Sequence, residues 1–387
     1  MKQLSGPVLK SLAKKEGTPL FIVDHEQIRR NYRRFKKALP RVQTYYAVKA
    51  NCLDAIIKTL FLEGASFDVA SFPEFMQVHK YIKSWDTKKR HAFIYDKIIF
   101  SNTIKDEETL LHLRPYRPLV TYDNEDEIKK IKKYCDTAGL VLRLSVPDTG
   151  SMVEMTSKFG ADPAQAMDLI AQAFKSGLIV EGLSFHVGSQ CTNFDNYVQA
   201  LHTASQIFRE ANARGYGKKM NIIDLGGGFP VSYNESVPQF EKLARIINSE
   251  ISRLFPEEGI EIIAEPGRFM VANAATLVSR IIGRARRSGK RFYHINDGVY
   301  HTYSGIVFDH CVYHVNHFPG TGQGKKEICA VVGPTCDGFD KISMEENLPG
   351  NLKIGDLLYT ENIGAYSIVS STNFNGFSPA KVVHINL

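Results

Sequence analysis

The sequence predicts an α/β protein: a parallel (β/α)8 barrel of the TIM type followed by a C-terminal antiparallel β domain. Three features of the 387-residue chain carry that prediction. Eight short runs of branched and aromatic residues alternate with stretches of helical period. The alternation stops near Asn273, after which short β-prone runs are separated by Gly, Pro and Asn turns. The chain is also longer than one hydrophobic core ordinarily supports, so two domains are expected.

The eight runs are Gln43–Val48, Ser66–Val69, Ile98–Phe100, Leu119–Tyr122, Leu140–Ser145, Ile179–Phe185, Asn221–Leu225 and Glu261–Ala264. Leu53–Glu63, Asn124–Ala138, Pro163–Ser176, Asn193–Arg214 and Val237–Phe255 repeat apolar residues at three-to-four spacing and are helix candidates. Eight such units over roughly 220 residues suit a closed barrel, typically about 250 residues long, with a doubly wound open sheet as the alternative. Beyond the barrel, Thr276–Ile282, Arg291–Ile295, Ile306–His314, Glu327–Val332, Asp356–Tyr359 and Lys381–Ile385 read as strands. Pro19–Val23 fits no barrel unit and is expected to join them. The expected division is therefore 25–273 for the barrel, with 1–24 and 274–387 forming the β-domain.

Composition narrows the function. A hydrophobic fraction of 43% with 23% charged residues is that of an ordinary globular chain. The formal charge of +7 is scattered among acids, and its densest cluster, Arg284-Ala285-Arg286-Arg287, is too short for a nucleic-acid footprint. Six cysteines without a CxxC pair point to reduced thiols and a cytoplasmic address, and no metal is expected. Residues 1–30 lack the apolar core of a signal peptide, and no run of about 18 apolar residues calls for a membrane.

A barrel of this kind carries its chemistry on the loops after the strands. Lys49, Asp68, Arg143, His186, Gly226-Gly227-Gly228 and Glu265 all fall there. Taken singly each has a plain reading: a surface lysine, a structural histidine, a tight turn, or a surface ion pair between Glu265 and Arg268. Together they describe a ligand. Three glycines free their backbone N–H groups for close approach to an anion, and the planar Arg268 guanidinium binds a phosphate with two bonds. A carboxylate beside a phosphate would be repelled, so Glu265 calls for a ligand that also carries a protonated ring nitrogen. Pyridoxal 5'-phosphate combines a phosphate, a pyridinium and an aldehyde that an amine such as Lys49 can hold. The long Val146–Gly160 segment is a candidate lid over the site.

The motifs Tyr46-Ala47-Val48-Lys49-Ala50-Asn51, Phe67-Asp68-Val69-Ala70-Ser71 with Glu74, His186-Val187-Gly188-Ser189, Asp224-Leu225-Gly226-Gly227-Gly228-Phe229-Pro230, Glu265-Pro266-Gly267-Arg268, Cys336-Asp337-Gly338 and Gly364-Ala365-Tyr366 span nearly the whole chain. In that order they resemble the alanine-racemase-fold pyridoxal phosphate decarboxylases. Within that group the chain looks most like the ornithine decarboxylases, including Phe374-Asn375-Gly376-Phe377.

The resemblance implies that Lys49 holds the cofactor aldehyde, that His186 stacks on its ring, and that Glu265 partners the ring nitrogen. It implies phosphate contacts from Ser189, Gly228, the Gly267-Arg268 turn and Tyr366, with Asp68 and Arg143 around the lysine and cofactor. Cys336 would be the acid that protonates carbon after carbon dioxide leaves, reaching in from the partner subunit of a homodimer. Asp309, beside Phe308, would hold the distal ammonium of a basic amino acid, with Asp337 contributed across the dimer. Two carboxylates around one cation suit ornithine or lysine. The family commonly has Tyr where Phe308 stands, whereas diaminopimelate decarboxylases typically show Glu where Asp337 follows the cysteine. Arginine, carboxynorspermidine, diaminopimelate or a siderophore-related ornithine conjugate are the alternative substrates. A non-catalytic antizyme-inhibitor-like regulator is the alternative of another class, and an amino-acid racemase on the same barrel is a third reading.

Overall fold

The structure, a computed structural model, describes residues 5–216, 220–233 and 237–387. Within these the chain divides into two compact units, one of residues 29–231 and 237–269, the other of residues 5–28, 232–233 and 270–387.

After β1 (Leu20–Asp24), which belongs to the second unit, the chain builds a closed parallel barrel from β2 (Val42–Ala47), β3 (Ser66–Val69), β4 (Ile98–Phe100), β5 (Leu119–Tyr122), β6 (Gly139–Leu144), β7 (Ile179–Phe185), β8 (Ile222–Asp224) and β9 (Glu261–Ala264). Pairing of Val42 with Ile262 closes the ring. The strands are short and almost wholly buried because branched and aromatic side chains fill both of their faces. Tyr45, Ile99, Leu119, Val141, Ile222 and Ile263 form one core cluster.

The five helix candidates are helical at Asp54–Leu62, Glu125–Tyr134, Ala166–Lys175, Asp195–Ala213 and Phe240–Leu254. The last buries Leu243, Ala244, Ile247 and Ile251, one stripe at three-to-four spacing. Four further helices begin where a side chain accepts, or the sequence supplies, an early-turn signal: His25–Ala38, Phe72–His79, Thr87–Lys97 and Glu107–Leu113. Ser71, Asp86 and Asp106 each cap the helix that follows by accepting the backbone N–H three residues on. Between β4 and β5, the buried Lys105 ammonium lies 2.9 Å from Glu127 and donates to the carbonyl oxygens of Asn102, Thr103 and Thr121. Burial pulls its pKa down to about 8 against the pull of Glu127.

The second unit holds β10 (Ala275–Arg287), β11 (Lys290–Ile295), β12 (Asn316–His317), β13 (Lys326–Val332), β14 (Lys341–Pro349), β15 (Leu357–Thr360) and β16 (Lys381–Ile385). They run in the order β12-β15-β10-β11-β13-β14, with β1 against both β10 and β16. Most neighbours are antiparallel, as expected, but β11 with β13 and β1 with β16 run parallel. Leu9, Ala13, Leu20, Ile22, Val278 and Phe318 make a core cluster beneath them.

One expected strand is absent. Ile306–His314 is not extended: Gly305–Phe308 is a helical turn, and the N–H groups of Asp309 and Cys311 both donate to the Gly305 carbonyl. Turn closure at a glycine overrides the β propensity of Ile306, Val307 and Val312. Conversely β14 escaped notice because Met344-Glu345-Glu346-Asn347 carries little β propensity. Among the described residues no helix is long and apolar enough to cross a membrane.

Candidate active site

Lys49 sits in the helical turn Val48–Ala50 directly after β2, with its Nζ 2.7 Å from Asp68 Oδ2. Asp68, in β3, is fully buried at its side chain and takes a second, short hydrogen bond from the Ser101 hydroxyl just beyond β4. Nearby, Ser71 caps the following helix by accepting the Glu74 N–H, and Glu74 accepts the Ala70 N–H at 2.7 Å, which together fix the turn after β3. Burial first, then the charge of Asp68, raises the Glu74 pKa.

Arg143, in β6, feels the charges of Glu265, Asp123, Asp224 and Asp68, and its guanidinium lies 5.0 Å from the Phe159 ring. Burial lowers its pKa against those four acids. Phe159 belongs to the segment expected to be a lid. That segment is knitted in place: Asp148 accepts the N–H groups of Met155 and Thr156, and Met152 and Val153 exchange backbone hydrogen bonds with Ser189.

His186 follows β7, and its Nδ1 accepts the Gly188 N–H at 3.1 Å, which leaves the proton on Nε2. Burial, then Arg143 and Lys49, hold its pKa well below the usual histidine range, so the ring is neutral. Gly226 and Gly228 have φ of +62° and +93°, and a Cβ on either would strike a backbone carbonyl, that of Phe185 or Gly188. A Cβ on Gly227 would come within 2.9 Å of His186 Nε2, which places the imidazole against the triplet. Tyr197 donates to the Gly227 carbonyl at 2.9 Å and holds the turn from behind.

Glu265 is 7% exposed, and its N–H donates to the Gly226 carbonyl at 2.7 Å. Its Oε1 has no hydrogen-bond partner. Burial, then the Asp68 charge, pushes its pKa up to about 7. Pro266 accepts the Ala47 N–H, Gly267 leads into the helical turn Arg268–Val271, and Arg268 Nη2 donates to Ser189 Oγ at 2.9 Å. The barrel thus carries Lys49, His186, Ser189, Gly226, Gly227, Gly228, Glu265, Pro266, Gly267 and Arg268 just after its strands, whereas Asp68 and Arg143, expected on the loops, are the penultimate residues of β3 and β6.

The remaining candidates lie in the second unit. Phe308 is 65% exposed, while Asp309 is buried and accepts the Cys311 thiol at 3.3 Å. Cys336 is exposed, and both its N–H and its thiol donate to Asn375 Oδ1, at 3.2 and 3.4 Å. Asp337 accepts a short hydrogen bond from the Tyr300 hydroxyl, the main cause of its lowered pKa, and another from the Phe339 N–H. Tyr366 holds a left-handed φ of +50°.

The barrel residues fit pyridoxal phosphate. A buried carboxylate oxygen without a donor is what a protonated ring nitrogen would satisfy. The glycine triplet leaves backbone where a side chain would collide, and the Ser189–Arg268 pair offers donors to an anion. The family model for the pyridoxal-binding domain of pyridoxal-dependent decarboxylases matches residues 25–272. This chain belongs to the pyridoxal-dependent decarboxylases.

Its relatives within the family include a lysine/ornithine decarboxylase of Selenomonas ruminantium, 34% identical, with 98% of this chain and 93% of that protein covered. A crystal structure of lysine/ornithine decarboxylase from Vibrio vulnificus complexed with cadaverine superposes with a TM-score of 0.89 at 34% identity, covering 98% of each chain. Antizyme inhibitor 2 of Xenopus laevis is 35% identical over 94% of this chain and 80% of its own length.

Sequence reasoning missed Ser101 and gave Glu74 and Asp224 no role. Ser101 follows a strand as Lys49 does, so the register that exposed Lys49 could have exposed it.

Proposed function

We propose that this decarboxylase converts L-ornithine to putrescine and carbon dioxide, with L-lysine, giving cadaverine, as a second substrate. One observation carries the reading: the Lys49 ammonium rests on Asp68 in the same ring of loops that holds Glu265 and the Ser189–Arg268 pair. Bound pyridoxal phosphate supplies a ring that takes up the electron pair left when a carboxylate departs.

The chain does the rest. Lys49 is the residue that would hold the cofactor aldehyde, and Asp68 positions its ammonium when the lysine is free. Glu265 would meet the ring nitrogen, and neutral His186 would pack on the ring without competing for its charge. Ser189, Gly226, Gly227, Gly228, Pro266, Gly267 and Arg268 would cradle the phosphate and ring, Tyr366 is the further phosphate contact that the family resemblance implies, and Arg143 balances the buried acids. The Cys336 thiol, oriented by Asn375, delivers the proton that replaces carbon dioxide. Asp309 and Asp337, beside Phe308, offset the lost hydration of the distal ammonium.

The exposed Cys336 and Asp337 support an active site completed across a homodimer. Six free cysteines support a reducing, cytoplasmic setting. The test supplies purified protein and pyridoxal phosphate with ornithine, lysine, arginine or diaminopimelate, and measures carbon dioxide and amine product. Ornithine should turn over with the highest kcat/KM. Turnover confined to arginine or diaminopimelate, or none at all, overturns the proposal.

A further inference from the structure

Asp224, the last residue of β8, is fully buried behind the glycine triplet. Its Oδ1 accepts the Gly226 N–H at 2.8 Å, and the Gly226 carbonyl in turn accepts the Glu265 N–H at 2.7 Å. One glycine therefore locks the two acids to each other through the backbone. Their side chains lie within hydrogen-bonding reach, yet Asp224 Oδ2 and Glu265 Oε1 are both buried without a donor. Two buried carboxylates so placed cannot both stay ionised.

The surroundings decide which one holds the proton. Lys49 and Arg143 both favour ionised Glu265, and the acids that face Asp224 are Glu265 itself and Asp68. Arg143 also feels Asp224, the Tyr45 hydroxyl, which donates to the Asp96 carbonyl, feels both acids, and His186 is neutral. We propose that Asp224 is a positioning residue: it carries the pair's single proton and donates it to Glu265, keeping Glu265 ionised and aimed at the cofactor's ring nitrogen. Burial and the neighbouring Glu265 charge hold the Asp224 pKa well above the usual carboxylate range, which agrees.

The inference rests on the reading of Glu265 as the ring-nitrogen partner, and it makes an asymmetric prediction. Asparagine mimics a protonated aspartate, since its oxygen accepts the Gly226 N–H and its amide donates to Glu265. Full-length protein stripped of cofactor is titrated with pyridoxal phosphate, and the absorbance of the bound cofactor is followed against pH. Asp224→Asn should bind within about threefold of the parent, whereas Asp224→Ala should bind roughly 10- to 100-fold more weakly, the loss expected of a hydrogen bond to a charged group.

If Asp224→Ala fails to fold, Asp224→Ser, too short to reach Glu265, takes its place with the same expectation. The pH profile of Asp224→Asn should keep its acidic limb and lose the limb caused by Asp224 deprotonation. An Asn variant as weak as the Ala or Ser variant, an Ala or Ser variant as tight as the parent, or a profile identical to the parent's overturns the proposal. Glu265→Gln separates the two levels. If it changes neither affinity nor spectrum, the assignment of Glu265 itself fails.

Discussion

Lys49 is paired with Asp68 at 2.7 Å and sits at the mouth of a barrel, so its removal should be felt in chemistry more than in folding. Lys49→Ala is expected to cut turnover by about 10³-fold or more, in line with loss of a covalent catalytic group, with little change in melting temperature. Near-normal release of carbon dioxide would refute its role. Cys336→Ala should leave the cofactor bound, lower the rate by about 10²- to 10⁴-fold and divert protonation, read by product analysis. Glu265 adds a pH signature. Its folded pKa, about 7, lies above the ordinary glutamate value of 4.5, so its contribution to the stability of cofactor-free protein is full below pH 4.5 and is lost as pH rises through 7. Thermal melts of cofactor-free protein should show that decline, and Glu265→Gln should flatten it. Lys49, Arg143, His186 and Glu265 were legible because each follows or ends a recognisable strand. Asp224 lay inside a quoted motif yet had no readable role, because that role comes from burial beside an acid 41 positions away in the chain, which only folding brings close.

At the scale of elements, the turn after β8 is the least forgiving. Gly228→Ala would need a left-handed conformation and a collision with the Gly188 carbonyl. Such strain costs about 1–3 kcal/mol, and cofactor binding should fall with it, measured by equilibrium titration and denaturant unfolding. The barrel strands were legible to within a residue or two because each is a short apolar run bounded by polar turns. Thr87–Lys97 was not, since Ile94 is its one fully buried side chain and no apolar stripe marks it. The misread Ile306–His314 shows the opposite error: a β-prone composition yields to a turn closed on Gly305.

For the molecule as a whole, the alternation of eight units was enough to announce a closed barrel, because parallel strands need helical crossovers and little else repeats at that spacing. What the alternation could not show was a buried charge pair inside it. Lys105→Ala, which leaves the carbonyl oxygens of Asn102, Thr103 and Thr121 without their donor and Glu127 with Lys130 as its remaining lysine partner, should cost about 1–3 kcal/mol, read as a loss of unfolding free energy in urea. The proposed homodimer makes a separate prediction. Lys49→Ala and Cys336→Ala protein, each inactive alone, should recover about a quarter of parental activity when dissociated and mixed, since half of the dimers would be hybrids with one intact site each. No recovery would place Lys49 and Cys336 of a site on one subunit.

The pairing of β1 with β10 and β16 also bears on how a ribosome must make this protein. Leu20, Phe21, Ile22 and Val23 leave the exit tunnel before any barrel strand, all destined for full burial. Their neighbours Thr276 and Val383 are synthesised only after every barrel strand is complete. A strand made before the barrel thus finds its sheet only after the barrel, and while the barrel is synthesised its apolar face must be shielded by chaperones or by transient collapse.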